Sequence, residues 1–267
     1  MVNSCRICSE RTETVFNKRI LSRYDVAYHQ CRSCGFIQTD EPFWLDEAYS
    51  NAISSLDVGI LRRNSNFVSF AGNIIDQFFN THGKFLDFGG GYGIFTRMMR
   101  DQGYDFYRED PLCENLLARG FDTADVPESE LFEMVTAFEV FEHLQDPMNT
   151  FEGLAGRLKG GLLISTELVP PEEKEWSQWW YLTPETGQHI SFFTKQALSR
   201  MAARHGLHLY SDGKTLHLFT KMPLQRDPFL PPPKRWFRFA RRAPKVNRSL
   251  IESDYERIKN RIAALKE

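Results

Sequence analysis

Two hydrophobic periods alternate along the chain. Between about Ser54 and Phe79, Ile60, Leu61, Phe67, Val68, Phe70, Ala71, Ile74, Ile75 and Phe78 recur mostly at three- and four-residue steps, the period of a helix with one buried face. Gly59 and Gly72 interrupt this stretch, which leaves open one helix or two. A series of short apolar runs and helical segments follows. Strands are predicted at Lys84–Phe88, Asp105–Arg108, Phe132–Phe138 and Leu162–Ser165. Helices are predicted at Ile94–Asp101, Leu112–Ala118, Asp146–Leu158 (ended by Gly160-Gly161) and Lys195–His205. Leu207–Tyr210 and Leu216–Thr220 flank Asp212-Gly213, a hairpin signal. Such alternation predicts an α/β chain. Its sheet would be parallel, carry helices on both faces and finish in an antiparallel hairpin.

Both ends of the chain follow a different pattern. In the first forty residues, Tyr28-His29-Gln30 and Phe36-Ile37-Gln38 read as short strands around a cysteine pair, and Glu41-Pro42 breaks the chain. At the other end a Pro-rich connector with Pro231-Pro232-Pro233 leads to a helix whose stripe is Ile251, Tyr255, Ile258, Ile262 and Leu265. The predicted organisation is a small module at 1–40, a helical linker at 41–83, the α/β domain at 84–221, and the connector with its terminal helix at 222–267. That helix is expected to dock through its apolar stripe.

Composition excludes several classes. Hydrophobic residues make up 42% and charged residues 25% of the 267 residues, which is ordinary for a globular protein. No apolar run approaches the ~18 residues of a membrane-spanning helix, and the start lacks the apolar core of a signal peptide. A cytoplasmic location is the expectation. The formal charge of -2, from 33 basic and 35 acidic residues, gives no global attraction to nucleic acid. Charge is uneven, however: Arg226, Lys234, Arg235, Arg238, Arg241, Arg242, Lys245 and Arg248 face one acid, Asp227, in the same stretch.

Four of the five cysteines form two Cys-x-x-Cys pairs, Cys5/Cys8 and Cys31/Cys34, the second followed by Gly35. In a reducing compartment this spacing reads as a metal site. Four thiolates fill the tetrahedral sphere of zinc, so the ion would be structural, with no position left for substrate. The fifth, Cys113, reads as a small core residue.

The stretch Phe85-Leu86-Asp87-Phe88-Gly89-Gly90-Gly91-Tyr92-Gly93 carries the strongest signal. A strand that ends in glycines and opens a helix lets a ligand approach the backbone closely. The nicotinamide pattern G-x-G-x-x-G fails, because Ile94 or Thr96 occupies its third glycine position. No Gly-Lys-Ser/Thr follows, which excludes the common nucleoside-triphosphate loop. Asp110 lies 17 residues past Gly93. An ionised carboxylate there can accept from both hydroxyls of a ribose, while Asp87 can face an ammonium group. An acid on each side of a glycine loop suits a nucleoside that also carries an amino acid.

These residues resemble motif I and the ribose-binding acid of the class I S-adenosylmethionine-dependent methyltransferases, over roughly residues 84–221. Phe138-Glu139-Val140-Phe141-Glu142-His143-Leu144, with Asp146-Pro147, is similar to the segment after that family's fourth strand. The resemblance implies a Rossmann-like sheet, with Asp87, Gly89, Gly91, Gly93 and Asp110 holding the cofactor. It also implies Asp125 and Val126 near the adenine, and Phe138 and Glu139 at the methionine end. Arg108-Glu109 departs from the apolar residues usual in the family and makes Glu109 an alternative ribose ligand.

A four-cysteine, zinc-ribbon-like module ahead of such a domain resembles bacterial sugar and polysaccharide-biosynthesis methyltransferases. It is also similar to zinc-bearing ribosomal RNA methyltransferases. The 22-residue insert between the cysteine pairs, Glu41-Pro42 and the lack of basic charge in the central domain favour the first group. A sugar or glycan acceptor is therefore expected, with RNA as the alternative. Trp176, Trp179, Trp180 and Tyr181 offer flat surfaces for a sugar ring. His189-Ile190-Ser191-Phe192-Phe193 resembles the His-x-Ser-aromatic-Phe element that carries the general base of sugar C-methyltransferases. Thr186 and Gln188 stand where that family has tyrosine and glutamate, which favours a hydroxyl acceptor. His189 is the first candidate base and His143 the second, since histidine titrates in the useful range.

Overall fold

The structure is a computed structural model that describes residues 4–50, 56–231 and 247–264. In chain order the elements are β1 (Thr12–Ile20), β2 (Tyr24–Cys31), β3 (Ile37–Thr39), α1 (Leu45–Ala48), α2 (Ile60–Phe78), β4 (Lys84–Phe88), α3 (Ile94–Asp101), β5 (Asp105–Glu109), β6 (Phe132–Phe138), α4 (Pro147–Gly156), β7 (Leu158–Ser165), α5 (Glu173–Trp176), β8 (Ser191–Phe192), α6 (Lys195–Arg204), β9 (His208–Ser211), β10 (Leu216–Thr220) and α7 (Ile251–Ala264).

They build two sheets. One has the order β5-β4-β6-β7-β10-β9. β4 pairs in parallel with β5 and β6, while β10 runs antiparallel to β7 and β9. This is the predicted Rossmann-like α/β arrangement with its antiparallel hairpin. In the hairpin turn, Asp212 Oδ1 accepts the N–H groups of Lys214, Thr215 and Leu216. The second sheet is antiparallel, β1-β2-β3-β8. Its fourth strand comes from a distant stretch, so the segment after His189 completes the sheet that begins in the first forty residues.

By internal contacts the chain forms two compact units. The first comprises Met1–Leu56, Ala137–Arg157 and Gly161–Pro223; the second comprises Asp57–Thr136, Leu158–Gly160 and Leu224–Glu267. A core cluster of the first unit joins Ile20, Val26, Tyr28 and Ile37 of the second sheet to Trp44, Trp176, Tyr181, Leu182, Ile190 and Phe192.

One open reading is settled, and two others are corrected. α2 is one helix through Gly72: a side chain there would sit 3.4 Å from the Tyr104 hydroxyl, so the glycine admits a neighbour and breaks nothing. The helix expected at Leu112–Ala118 is absent. Asp110 Oδ1 takes the N–H groups of Leu112 and Cys113, and Asn115 bonds both ways with Ala118, so short polar side chains outcompete helical pairing. α4 ends before Leu158, and Gly160-Gly161 lie inside β7. A Cβ on Gly160 would stand 2.7 Å from the Glu133 carbonyl oxygen and 2.8 Å from the Phe79 ring.

The terminal helix docks by charge rather than through its apolar stripe. Ile251, Tyr255 and Ile262 are exposed, and only Ile258 packs inward, against Gly120. The anchor is Asp254, 5% exposed, which accepts Nε and Nη2 of the buried Arg100 at 2.8 and 2.7 Å. The same guanidinium lies 3.7 Å over the Phe121 ring. Pro232, Pro233, Leu265 and the basic residues Lys234 to Lys245 lie outside the described residues.

Candidate active site

β4 delivers the glycine loop. Gly89, Gly91 and Gly93 all have positive φ, at 70°, 54° and 87°, which lets the chain coil tightly into α3. Gly90 is glycine for room: a Cβ there would lie 2.6 Å from Asp87 Oδ2 and 2.7 Å from the Arg108 side chain. A Cβ on Gly91 would meet nothing within 4 Å, so this side of the loop is open to a ligand.

Asp87 does not project from the loop; it lies beneath it, 3% exposed. The hydroxyls of Thr136 and Thr96 donate to its two carboxylate oxygens, each at 3.1 Å. Burial dominates over these bonds and pushes its pKa up to about 7. The two threonines have no distinctive sequence signal beyond their buried positions.

Asp110 sits at the mouth of the loop. Its Oδ2 accepts the Gly91 N–H at 2.8 Å, and its Oδ1 accepts Leu112 and Cys113. A carboxylate has about four lone-pair sites, so capacity for one ligand hydroxyl remains rather than the two expected. Arg108, the departure noted in the sequence, is the tie that shapes this mouth. Its guanidinium donates to the carbonyls of Gly91 and Cys113 and to Asp122. Asp125 caps a single helical turn by accepting the Asp122 N–H, and its other oxygen meets Arg261 of α7. Val126 follows directly.

The second cluster lies in the other unit. After β6, Glu139 takes a left-handed conformation at φ 54°, unusual for a residue with a side chain. It is pinned there: its N–H donates to Ser165 Oγ at 2.7 Å, and that hydroxyl donates back to Glu139 Oε1 at 2.6 Å. A single turn, Phe141–His143, then presents Glu142 and His143. Two bonds clamp this turn to the segment holding His189. Ile190 N–H donates to the Glu142 carbonyl at 2.8 Å, and Ser191 Oγ to that of Leu144 at 2.7 Å.

The two histidine rings meet edge to face, 4.7 Å between centroids. His189 Nδ1 lies 2.7 Å from the Tyr181 carbonyl oxygen, and His143 Nδ1 lies 3.1 Å from that of Gln188. A carbonyl only accepts, so each neutral ring carries its proton on Nδ1 and its lone pair on Nε2. Burial holds the His143 pKa below the ordinary histidine range. Glu142, with no exposed surface, was not singled out in the sequence; only its place in the segment after β6 and its adjacency to His143 pointed to it.

A family model described as a methyltransferase domain matches residues 61–212, more than half of the chain. The chain belongs to the methyltransferase-domain family. No curated protein matches it. Solved structures similar to this methyltransferase include magnesium protoporphyrin IX methyltransferase from Synechocystis PCC 6803 with bound SAH. It is 14% identical at a TM-score of 0.46, over 67% of this chain and 93% of that one. An O-methyltransferase family 2 protein from Planctomyces limnophilus DSM 3776, in complex with apigenin, is also 14% identical at 0.46, over 67% and 65%. An O-methyltransferase family protein from Burkholderia thailandensis is 11% identical at 0.44, over 67% and 62%.

The four cysteines of the methyltransferase converge as their spacing predicts. Sγ separations are 3.6 Å for Cys5–Cys34, 3.5 Å for Cys8–Cys31 and 3.6 Å for Cys8–Cys34. A tetrahedron with Zn–S bonds of ~2.3 Å has edges of ~3.8 Å, so the sulfurs fit such an ion with little movement. His29 is not part of this set: its Nε2 lies 2.7 Å from Asp40. The knuckle also braces the histidine segment, since Thr194 Oγ1 donates to the Cys34 carbonyl at 2.6 Å and Arg6 reaches that of Ile190.

The aromatic group divides. Trp176 and Tyr181 are core, whereas Trp180 is 69% exposed. Trp179 and Trp180 line an open cleft with Pro170, Lys174, Glu175 and Gln178. Among the described residues no helix is long and apolar enough to cross a membrane.

Proposed function

We propose that this methyltransferase uses S-adenosylmethionine to methylate a hydroxyl of a sugar, nucleotide-linked sugar or glycan in polysaccharide biosynthesis. When bound, the cofactor supplies an electrophilic methyl group on its sulfonium. The open face at Gly91 and the remaining acceptor capacity of Asp110 support a nucleoside at the loop. Asp110 takes a ribose hydroxyl, with Glu109 beside it, and Asp125 and Val126 border the adenine. Phe138 and Glu139 border the methionine end. Cys5, Cys8, Cys31 and Cys34 hold a structural zinc.

One observation carries the acceptor chemistry: the Nδ1 bond of His189 to a backbone carbonyl, which turns the Nε2 lone pair into a positioned base. As the acceptor oxygen attacks, its proton passes to His189 Nε2. His143 packs against the ring and holds its plane. Trp179 and Trp180 offer the acceptor a stacking surface. Methyl-labelled S-adenosylmethionine incubated with a panel of nucleotide-linked sugars should give an O-methylated product by mass spectrometry. Label in RNA and none in any sugar would replace this reading with the RNA alternative.

A further inference from the structure

Glu142, His143 and His189 each bring one ligand atom to a common point, all within 4.8 Å of one another. Two imidazoles and a carboxylate are a donor set for borderline divalent transition ions rather than for magnesium or calcium, which prefer oxygen. The orientation of the rings is the second observation. Metal-ligating histidines commonly donate the other ring N–H to a backbone carbonyl or carboxylate, which fixes the tautomer. His143 does so to Gln188 and His189 to Tyr181. The third is the clamp of Ile190 N–H on the Glu142 carbonyl, which holds the two ligand-bearing segments in register.

We propose that Glu142, His143 and His189 form a second metal site, for a divalent ion of the zinc class, distinct from the four-cysteine centre. Bonds of ~2.1 Å in a tetrahedral site put ligand atoms ~3.4 Å apart. His143 Nε2 and Glu142 Oε1 now stand 4.0 Å apart, so side-chain rotation of under about an ångström closes that edge. Three protein ligands leave a fourth position open. An ion here engages the Nε2 lone pair that would otherwise accept the acceptor's proton. Metal binding and general-base action of His189 are therefore mutually exclusive, and zinc inhibits turnover by competing for that nitrogen. The site stands on the geometry of the trio; its inhibitory consequence, and the first of the two ions counted below, rest on the proposed function.

The test is metal content of the full chain after equilibration with zinc and removal of unbound ion. Wild type should hold two equivalents, and His143→Asn and His189→Asn one each. One equivalent in wild type, or two in both variants, overturns the proposal. Cobalt(II) substitution of the unmutated protein gives a check independent of variant folding. The thiolate centre should show intense near-ultraviolet charge-transfer bands, and a second equivalent only weak visible bands. Further thiolate bands with the second equivalent would also overturn it. Absence of a second ion leaves methyl transfer untouched, and absence of sugar methylation leaves the metal count untouched, so the two readings fail separately.

Discussion

At the scale of single residues, burial shifts the titration of two groups, Asp87 beneath the glycine loop and His143 beside His189. Asp87 has a pKa near 7 in the fold, against about 3.9 in an unfolded chain. Between those values the folded state binds more protons than the unfolded one, so this residue's contribution to stability falls as pH rises from about 4 to 7. Asp87→Asn should thus gain stability relative to wild type between pH 5 and pH 8. Paired thermal melts at the two values check this, and a constant difference would contradict it. His143 behaves in the opposite sense: burial lowers its pKa, so its contribution is present above about pH 6.5 and is lost as pH falls through the folded value. For His189, removal of a general base costs about 100- to 10,000-fold in rate. His189→Ala should lose turnover within that range while cofactor affinity stays level. Full activity on the true acceptor would exclude it as the base.

At the scale of elements, the four-cysteine knuckle and the histidine strand form one structure, because β8 adds to β3 and Thr194 caps the Cys34 carbonyl. Cys31→Ser should therefore lower zinc content and turnover together while cofactor binding persists. Metal analysis with calorimetry on the same sample separates these effects, and normal turnover without zinc would contradict the link. The terminal helix makes a sharper energetic case. Asp254→Ala leaves the buried Arg100 short of its bidentate partner, with Asp105 the remaining carboxylate at 2.6 Å. Loss of one member of a buried pair costs about 3–5 kcal/mol, readable in chemical denaturation. A change below ~1 kcal/mol would mean that α7 is not anchored there. Three members of the apolar stripe that suggested this docking, Ile251, Tyr255 and Ile262, face solvent, because spacing reveals which residues share a face but not whether a buried arginine stands opposite another face.

At the scale of the molecule, the sequence was most legible where one local pattern sufficed. The strand–glycine–helix unit at 84–101, the hairpin around Asp212-Gly213 and the two cysteine pairs each depend on neighbouring residues, and all three are found. Legibility failed where a distant partner decides. β8 has two residues and exists only because β3 offers it an edge. Gly160 reads as a helix stop until Phe79 and Glu133 are seen against it. Arg108 looks anomalous in a strand until its carbonyl partners are known. Glu142 carried no signal beyond its place in the segment after β6 and its neighbour His143. The proposed chemistry depends first on a nucleoside at the glycine loop. Titration of the full chain with S-adenosylmethionine by isothermal calorimetry tests this most directly. Hydrogen bonds to a charged group contribute about 1.5–3 kcal/mol, so one site per chain is expected, weakened about 10- to 150-fold in Asp110→Asn. Wild-type protein that takes up no S-adenosylmethionine, or an Asp110→Asn variant that binds it unchanged, would contradict the account.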